Sequence, residues 1–463
     1  MTLFVPPRPA DTSAGQSWLT RRLAVLRSGL GAFRPGSYGK GIGRYGVPTL
    51  PRLEKRWMYT VRDPELVREM LIRRAPEFPK ADVMDAMLGA LTGYSIFISN
   101  GEVWGRQRRL IDPALEQARV RDVFARMLEA ADQSVLRIEA AADTGQPFAI
   151  DTEMSRFAAD VIFRTIFSEP VAEPDATHVI EAFEVFQGVA YTHGMMGLTR
   201  WPSRLMPGWR KARRAARAIR EALNKPLARR LADRAAGRPV PDNDILAALI
   251  EGVDPVSGTG FDGDELLDQI AMLFLAGHET SASALAWSLY LLASAPEVQA
   301  RCQAEADAVL GDETPAFEQM KKLALTRDVF REAMRLYPPV AFLARDCPAG
   351  GKLGKRDVEP GSMVLASTWL THRSDAWDQP HAFDPDRFSC PAGRGATTAS
   401  YFPFSLGPRV CPGAAFALQE ATLMLGMAMR RFSFDADPAD APEPVARLTL
   451  RAANGLRLKV RRR

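Results

Sequence analysis

Residues 262–294 constrain the fold more than any other stretch. Asp262-Gly263-Asp264-Glu265 has the form of a capping box, in which Asp262 accepts from the backbone three residues on and Glu265 reaches back. No proline follows until Pro296, so the spacing predicts one helix of about 30 residues, roughly 45 Å long at 1.5 Å per residue. A helix of that length crosses a whole domain. Residues 266–295 form the most apolar long stretch, yet they contain Asp268, Gln269, His278 and Glu279. A membrane span needs about 20 mostly apolar residues. The pattern therefore predicts a helix buried in a large soluble core, and no transmembrane segment. At about 150 residues per domain, 463 residues would suggest three domains. A core-crossing helix and the lack of a dividing linker argue for one instead.

Helical spacing begins at Asp63 and continues through residues 63–74, 102–142, 151–168 and 176–190, with an interruption near Asp112-Pro113. Residues 204–238 hold twelve Lys or Arg against Glu221 and Asp233, while Ala212, Ala216, Ile219, Leu223, Leu227 and Leu231 recur at helical spacing. This predicts an amphipathic helix with a solvated basic face. A role at a membrane surface or an acidic partner stays open. A second strong helix, 325–337, stops at Pro338-Pro339. Gly350-Gly351, Gly354 and Pro360-Gly361 punctuate residues 340–372, which suggests small β-hairpins. Residues 446–461 alternate like strands around Asn454-Gly455, a good hairpin turn. The expected class is mainly α with a minor antiparallel β region. Residues 1–60 read as an irregular lead-in and 61–463 as a single catalytic domain.

Composition excludes several classes. With 46% hydrophobic and 25% charged residues the chain is not disordered. The net charge of +5 is mild and dispersed, unlike the concentrated basic stripe of a nucleic-acid binder. It does favour acidic partners. The excess of Arg over Lys suggests a bacterial, GC-rich genome. The first residues carry prolines and an Asp where a signal peptide needs an apolar core, so a cytoplasmic location is expected. The four cysteines lack CxxC or zinc-finger spacing and read as free thiols.

One cysteine stands apart. In FPFSLGPRVCPG, residues 402–413, Cys411 precedes Pro412, and proline favours the first turn of a helix. Cys411 is thus expected at a helix N-cap, where the helix dipole and Arg409 favour a thiolate. Such a thiolate can be a nucleophile, a metal ligand or a redox thiol, and an inert buried Cys is the plainer reading. No His lies near it in sequence, and the other soft ligands of a zinc site are absent. A haem iron needs only one protein ligand, and Cys thiolate is among the known choices.

The segment Phe404-Ser-Leu-Gly407-Pro-Arg409-Val-Cys411-Pro-Gly413 resembles the haem-binding signature FxxGxRxCxG of the cytochrome P450 superfamily at every fixed position. Ala276-Gly277-His278-Glu279-Thr280 is similar to its oxygen-activation motif, Glu332-Ala333-Met334-Arg335 to its ExxR motif, and Phe383 to Phe388 to FxPxRF. Trp104 and Arg108 fit WxxxR. The resemblance covers residue 60 onward and implies a single haem-thiolate monooxygenase domain of the soluble bacterial type.

That resemblance assigns roles. Cys411 would bind the iron of haem b, iron protoporphyrin IX. Trp104, Arg108, Arg345, Phe404, Arg409, Gly413, Ala276 and Gly277 would contact the haem. Gly277 would mark a local widening of the helix, or simply close packing. Glu279 and Thr280 would form an acid–alcohol pair that delivers protons. Glu332, Arg335 and Arg387 would form a buried network. Substrate would meet Ile96, Phe97, Phe274, Val340, Phe342 and Leu343, with Met84, Met87, Leu88, Leu91 and Ala276 nearby, an apolar lining suited to a lipophilic molecule. His278 occupies a variable position and has no iron role. O2 and electrons from NAD(P)H are implied. No flavin or nicotinamide module is evident, so the expected carriers are a ferredoxin and its reductase, then flavodoxin or a diflavin reductase. Arg106, Arg108, Arg109 and Arg409 would present a basic docking face. The protein is expected to be a monomer. Two rivals remain: a haem-thiolate enzyme of coupling, rearrangement or peroxide chemistry, and a non-enzymatic haem ligand binder.

Overall fold

The structure is a computed structural model, and it describes residues 3–6, 42–48, 55–170, 175–198, 200, 202–390 and 393–463. The helices that position the site are α1 (Val83–Thr92), α2 (Gly101–Ile111), α3 (Phe124–Thr144), α4 (Ile150–Phe167), α5 (Asp175–Gly197), α6 (Trp209–Ala235), α7 (Gly263–Ser294), α8 (Ala324–Leu336) and α9 (Ala414–Arg431). The strands are β1 (Ile42–Pro48), β2 (Lys55–Val61), β3 (Phe148–Ala149), β4 (Phe342–Cys347), β5 (Gly351–Leu353), β6 (Arg356–Val358), β7 (Ser362–Ser367), β8 (Phe432–Asp435), β9 (Pro444–Ala446), β10 (Leu450–Ala452) and β11 (Arg457–Arg462). The chain is mainly helical, with four small sheets among the described residues.

The predicted capping box forms. Asp262 Oδ1 accepts from the Glu265 N–H at 2.8 Å, and the Asp262 N–H donates to Glu265 Oε2 at 3.2 Å. The helix behind it, α7, is 32 residues long and packs along α4, with further contacts to α1, α6, α8 and α9. From residue 269 to 293 it is buried everywhere except at Ala276, Gly277 and Thr280. Among the described residues no helix is long and apolar enough to cross a membrane.

The β region is minor and mainly antiparallel, as expected, with one parallel pair, β2 with β7, in the sheet β1-β2-β7-β4. Three expectations are corrected. The irregular lead-in gives way to strands β1 and β2, an antiparallel pair with Ile42 opposite Val61; residues 7–41 lie outside those described. The helix expected over 63–74 is α-helical only to Arg68 and continues as a π-helix over Glu69–Arg73. Asn454-Gly455 turns the chain but closes no hairpin: β10 pairs with β9, whereas β11 pairs with β3 and β8. The cause is burial, since Leu458 and Val460 alternate inward from β11 onto the helical core.

The Arg-rich helix α6 buries Ala212, Ala216, Ile219, Leu223 and Leu227, as its spacing predicts. Much of its charge is paired. Arg220 meets Asp268, Arg229 meets Glu169, Arg234 meets Glu251, and Arg230 forms a buried pair with Asp244 at 2.7 Å.

Candidate active site

Cys411 sits in a tight loop. Its N–H donates to the Phe404 carbonyl at 2.8 Å, and the Val410 N–H donates to Gly407 at 3.0 Å. Gly407 has φ +70°, and a Cβ there would collide with the Leu71 carbonyl oxygen, so only glycine fits. Helix α9 starts at Ala414 with Gly413 as its N-cap, so Cys411 lies two residues before the cap and not, as expected, at it. Pro412 and Gly413 form a turn rather than the first helical residues. The thiol is accessible, yet burial dominates its titration and pushes it up, against the Gly413 N–H, Arg108 and Lys80, which pull it down. The sulfur therefore opens into an internal space and not into bulk water. The other cysteines are also free: Cys302 and Cys347 are buried, and Cys390 is exposed.

Three cations gather at this space. Lys80 and Arg345 face each other across an isolated antiparallel bridge. The Lys80 ammonium lies 4.5 Å over the Phe97 ring. Arg345 is 3% exposed and donates to the Ala344 carbonyl. Arg409 donates through Nη2 to the Ser99 carbonyl at 3.0 Å and to Asn100 Oδ1 at 2.8 Å, while its Nη1 is buried with no hydrogen-bond partner. Its guanidinium stands 4.3 Å over the Trp104 ring. Burial holds Lys80 well below its usual range, with repulsion from Arg345 and Arg409 adding to it. Burial also lowers Arg345 and Arg409 to about 10. Among the described residues no carboxylate pairs with any of the three. Desolvated cations without an anion are unfavourable alone. A dianionic planar group resting on the Cys411 thiolate answers both features, and haem with its two propionates is such a group. The residues present fit it.

One expected haem contact has another partner in the structure. Arg108 donates through Nε to Asp112 Oδ2 at 2.7 Å and through Nη1 to the Val410 carbonyl at 2.6 Å, so it braces the Cys411 loop with its charge already matched. Lys80 takes its place in the cationic set, and sequence reasoning missed it.

On α7, Thr280 Oγ1 donates to the Ala276 carbonyl at 2.6 Å. Gly277 lies against α4, where a Cβ would meet Ile162 Cδ1 at 3.0 Å. The helix is unbroken α there, so Gly277 serves close packing and marks no local widening. Glu279 is 1% exposed. Arg451 Nη2 donates to its Oε1 at 2.8 Å, Thr449 Oγ1 donates to its Oε2 at 3.0 Å, and Gln187 Nε2 also donates to Oε1. Burial works against its charge, but Arg451, His278 and these hydrogen bonds outweigh it and hold the carboxyl below its ordinary value. His278 contacts Ser155 Oγ at 2.7 Å through Nε2 and sits edge-on to Phe183; burial first of all depresses it to about 4.

Behind the loop, Glu332 and Arg335 are wholly buried and Arg387 nearly so. Arg335 donates to Glu332 Oε2 at 2.7 Å and Oε1 at 2.8 Å, and to the carbonyls of His372, Pro380 and Ala382. All five of its donors are used. Arg387 Nε and the Asp384 N–H each donate to Glu332 Oε1 at 3.0 Å.

The expected substrate lining divides. Phe97, Val340 and Phe342 are half-buried, as are Met84 and Met87. Leu343 is not with them: alternation on β4 turns Phe342 and Ala344 toward the large core and Leu343 toward the smaller cluster with Val364 and Phe402. Phe274, Leu88 and Leu91 are core residues, 1%, 1% and 0% exposed. Ile96 is buried, and its N–H donates to Gln269 Oε1.

The expected basic docking face is not available as four free charges. Arg106 pairs with Glu265 at 2.8 Å, Arg108 with Asp112 at 2.6 Å and Arg109 with Asp254 at 2.5 Å, while Arg409 is turned inward.

One buried acid is kept neutral. Glu420, on α9, accepts from Ser281 Oγ on α7, and burial pushes its pKa up from 4.5 to about 8. A carboxyl raised on folding contributes stability that is complete below the unfolded value and lost as pH climbs toward the folded one. Glu420→Gln should flatten the fall in melting temperature between those two pH values. Equal slopes for the variant and the parent would disprove this assignment.

Comparison with known proteins completes the description. The family model described as Cytochrome P450 matches residues 44–460. Cyclooctatin synthase of Streptomyces melanosporofaciens is 31% identical over 405 residues, covering 87% of this chain and 86% of that protein. Cyclooctat-9-en-7-ol 5-monooxygenase of the same organism is 30% identical over 400 residues, covering 86% and 85%. The chloroplastic protein LUTEIN DEFICIENT 5 of Arabidopsis thaliana is 31% identical over 421 residues, covering 87% and 70%. Among solved structures, the cytochrome P450DA heme domain superposes with a TM-score of 0.81 at 24% identity, covering 100% of this chain and 99% of that one.

Proposed function

Because the chain belongs to the cytochrome P450 family and is a haem-thiolate monooxygenase, we propose that it oxygenates a lipophilic small molecule held over the Thr280 face of α7. As in the family at large, O2, an organic substrate and electrons from redox partners are required. Haem bound to the Cys411 thiolate supplies the oxygen activation. The protein's own groups do the rest. Lys80, Arg345 and Arg409 would hold the propionates. The Gly413 N–H donates to the sulfur and tempers its basicity. Met84, Met87, Phe97, Val340 and Phe342 exclude water and hold the substrate for hydroxylation or epoxidation. Thr280, bonded to the Ala276 carbonyl, keeps its hydroxyl oxygen free to accept from a water in the open space, and Glu279 supplies the proton.

The observation that carries this reading is the single accessible patch, Ala276, Gly277 and Thr280, on an otherwise buried stretch of α7. The relatives acting on cyclooctat-9-en-7-ol and 11-oxo-beta-amyrin, by their names, support an apolar substrate class. Electrons come from NAD(P)H through a ferredoxin and its reductase, with a flavodoxin or diflavin reductase as the second choice. The enzyme acts as a cytoplasmic monomer in a bacterium; the Streptomyces relatives favour the bacterial origin.

Thr280→Ala tests the proton step. Product formed per NAD(P)H should fall by roughly tenfold or more while peroxide rises, given the 10²–10⁴ that a positioned proton donor contributes. Unchanged coupling would remove Thr280 from the mechanism. A library screened for the type-I spectral shift, followed by turnover with ferredoxin and NAD(P)H against peroxide, identifies the substrate and the oxidant.

A further inference from the structure

The acid of the proposed relay is not free. Glu279 stands off the accessible face of α7, and its carboxylate receives donors from two other parts of the chain. Arg451 on β10 and Thr449 in the turn before it come from the β9–β10 hairpin; Gln187 comes from α5. Arg451 is itself fixed, because its Nε donates to Thr449 Oγ1 at 3.2 Å. The hairpin is tied to the body of the protein beside it: the Leu450 N–H donates to the Pro339 carbonyl at 2.9 Å, and the Leu450 carbonyl accepts from Ser283 Oγ at 2.5 Å and Trp287 Nε1 at 3.3 Å. The hold on Glu279 is therefore built into the fold.

We propose that Arg451 is the positioning residue of the proton path: through it the C-terminal hairpin holds Glu279 as a carboxylate, turned off the Thr280 face. Gln187 makes the same hold sensitive to the placement of α5. The proposal rests on the relay reading of Glu279 and Thr280. Of the groups facing Glu279, the charged or titratable ones are Arg451 from β10 and His278 from α7 itself; Gln187 and Thr449 are neutral. Buried His278 stays neutral near pH 7, so Arg451 alone supplies a full positive charge. Glu279 takes one proton from solvent and passes one on to water at Thr280, so its charge is restored in each cycle. An opposite charge this close favours the ionised carboxyl strongly, and Arg451 therefore decides when Glu279 carries the proton it gives.

The test is an infrared titration of the haem-loaded protein, following the protonated carboxyl band that disappears with Glu279→Gln. In Arg451→Met the protonated fraction of Glu279 near pH 7 should rise about tenfold or more, since one opposite charge shifts such an equilibrium by at least one decade. Arg451→Lys should restore most of the parent titration, which also shows that the variants fold. Absence of a Glu279-dependent band in haem-loaded Arg451→Met at neutral or acid pH overturns the proposal. Coupling in Glu279→Gln is read separately. If it equals the parent's while the band still shifts in Arg451→Met, the relay reading fails and the hold by Arg451 stands.

Discussion

Glu332→Ala should yield protein with little bound haem and a sharply lowered melting temperature. Glu332 is fully buried and pairs with two buried cations at once, Arg335 at 2.7 Å and Arg387 at 3.0 Å. Its removal leaves uncompensated charge in a place without water. Breaking a buried pair in this way costs about 3–5 kcal/mol, a large share of the 5–15 kcal/mol by which a typical protein is stable. The damage would spread locally, because Arg335 also ties down the carbonyls of His372, Pro380 and Ala382. These carbonyls belong to the segment that runs up to Arg387. Haem absorbance per polypeptide and a thermal melt read the result. Normal values of both would show that the network is dispensable.

Cys411→Ser has the opposite character, with a large functional loss and a small structural one. The loop around Cys411 is set by its backbone, through the bond to Phe404 and the glycine-only conformation at Gly407. A serine fits the same backbone. The side chain, however, is the one protein ligand that the iron would have, and its thiolate would supply the electron donation that oxygen activation needs. Turnover should fall to background, a loss of more than about 10³-fold, given that enzymes accelerate their reactions by about 10⁶-fold or more. The reduced carbon-monoxide difference spectrum should lose its thiolate form, while the far-ultraviolet circular dichroism stays that of the parent. A retained thiolate spectrum would remove Cys411 as the ligand.

Features encoded within a few residues were legible in the sequence. The capping box at Asp262 and Glu265 and the i,i+3 pair Glu332 and Arg335 depend on short-range geometry alone, as does the positive φ of Gly407 in the loop before Cys411, which Leu71 also approaches. What was missed depends on which distant segments meet. Nothing near Arg451 marks it as a partner for Glu279, 172 residues earlier. Nothing near Lys80 in the sequence marks it as a neighbour of Arg345 and Arg409, which only the fold brings beside it. Leu343 was misplaced because a short apolar run does not reveal which of its alternate residues faces which side. The turn at Asn454-Gly455 was real, but the partners of the strands on either side were chosen by burial. The basic face around Arg106 and Arg109 failed for the same reason, since Glu265 and Asp254 reach those charges only in the folded chain.

The strand pairings also bear on how this molecule is made. Met58 lies opposite Met363 in the parallel pair of β2 and β7, and Phe148 lies opposite Leu458 where β3 meets β11. Strand β3, and the edge of β2 that β1 leaves uncovered, thus have no partner until segments about 300 residues downstream have left the ribosome. Pairings so remote in sequence form slowly, and exposed strand edges invite aggregation while they wait. The helices around α4 can gather during synthesis. The walls that hold Arg345, Cys411 and Arg451 close only once translation has passed residue 458, so the catalytic chamber first exists after all of these segments are made.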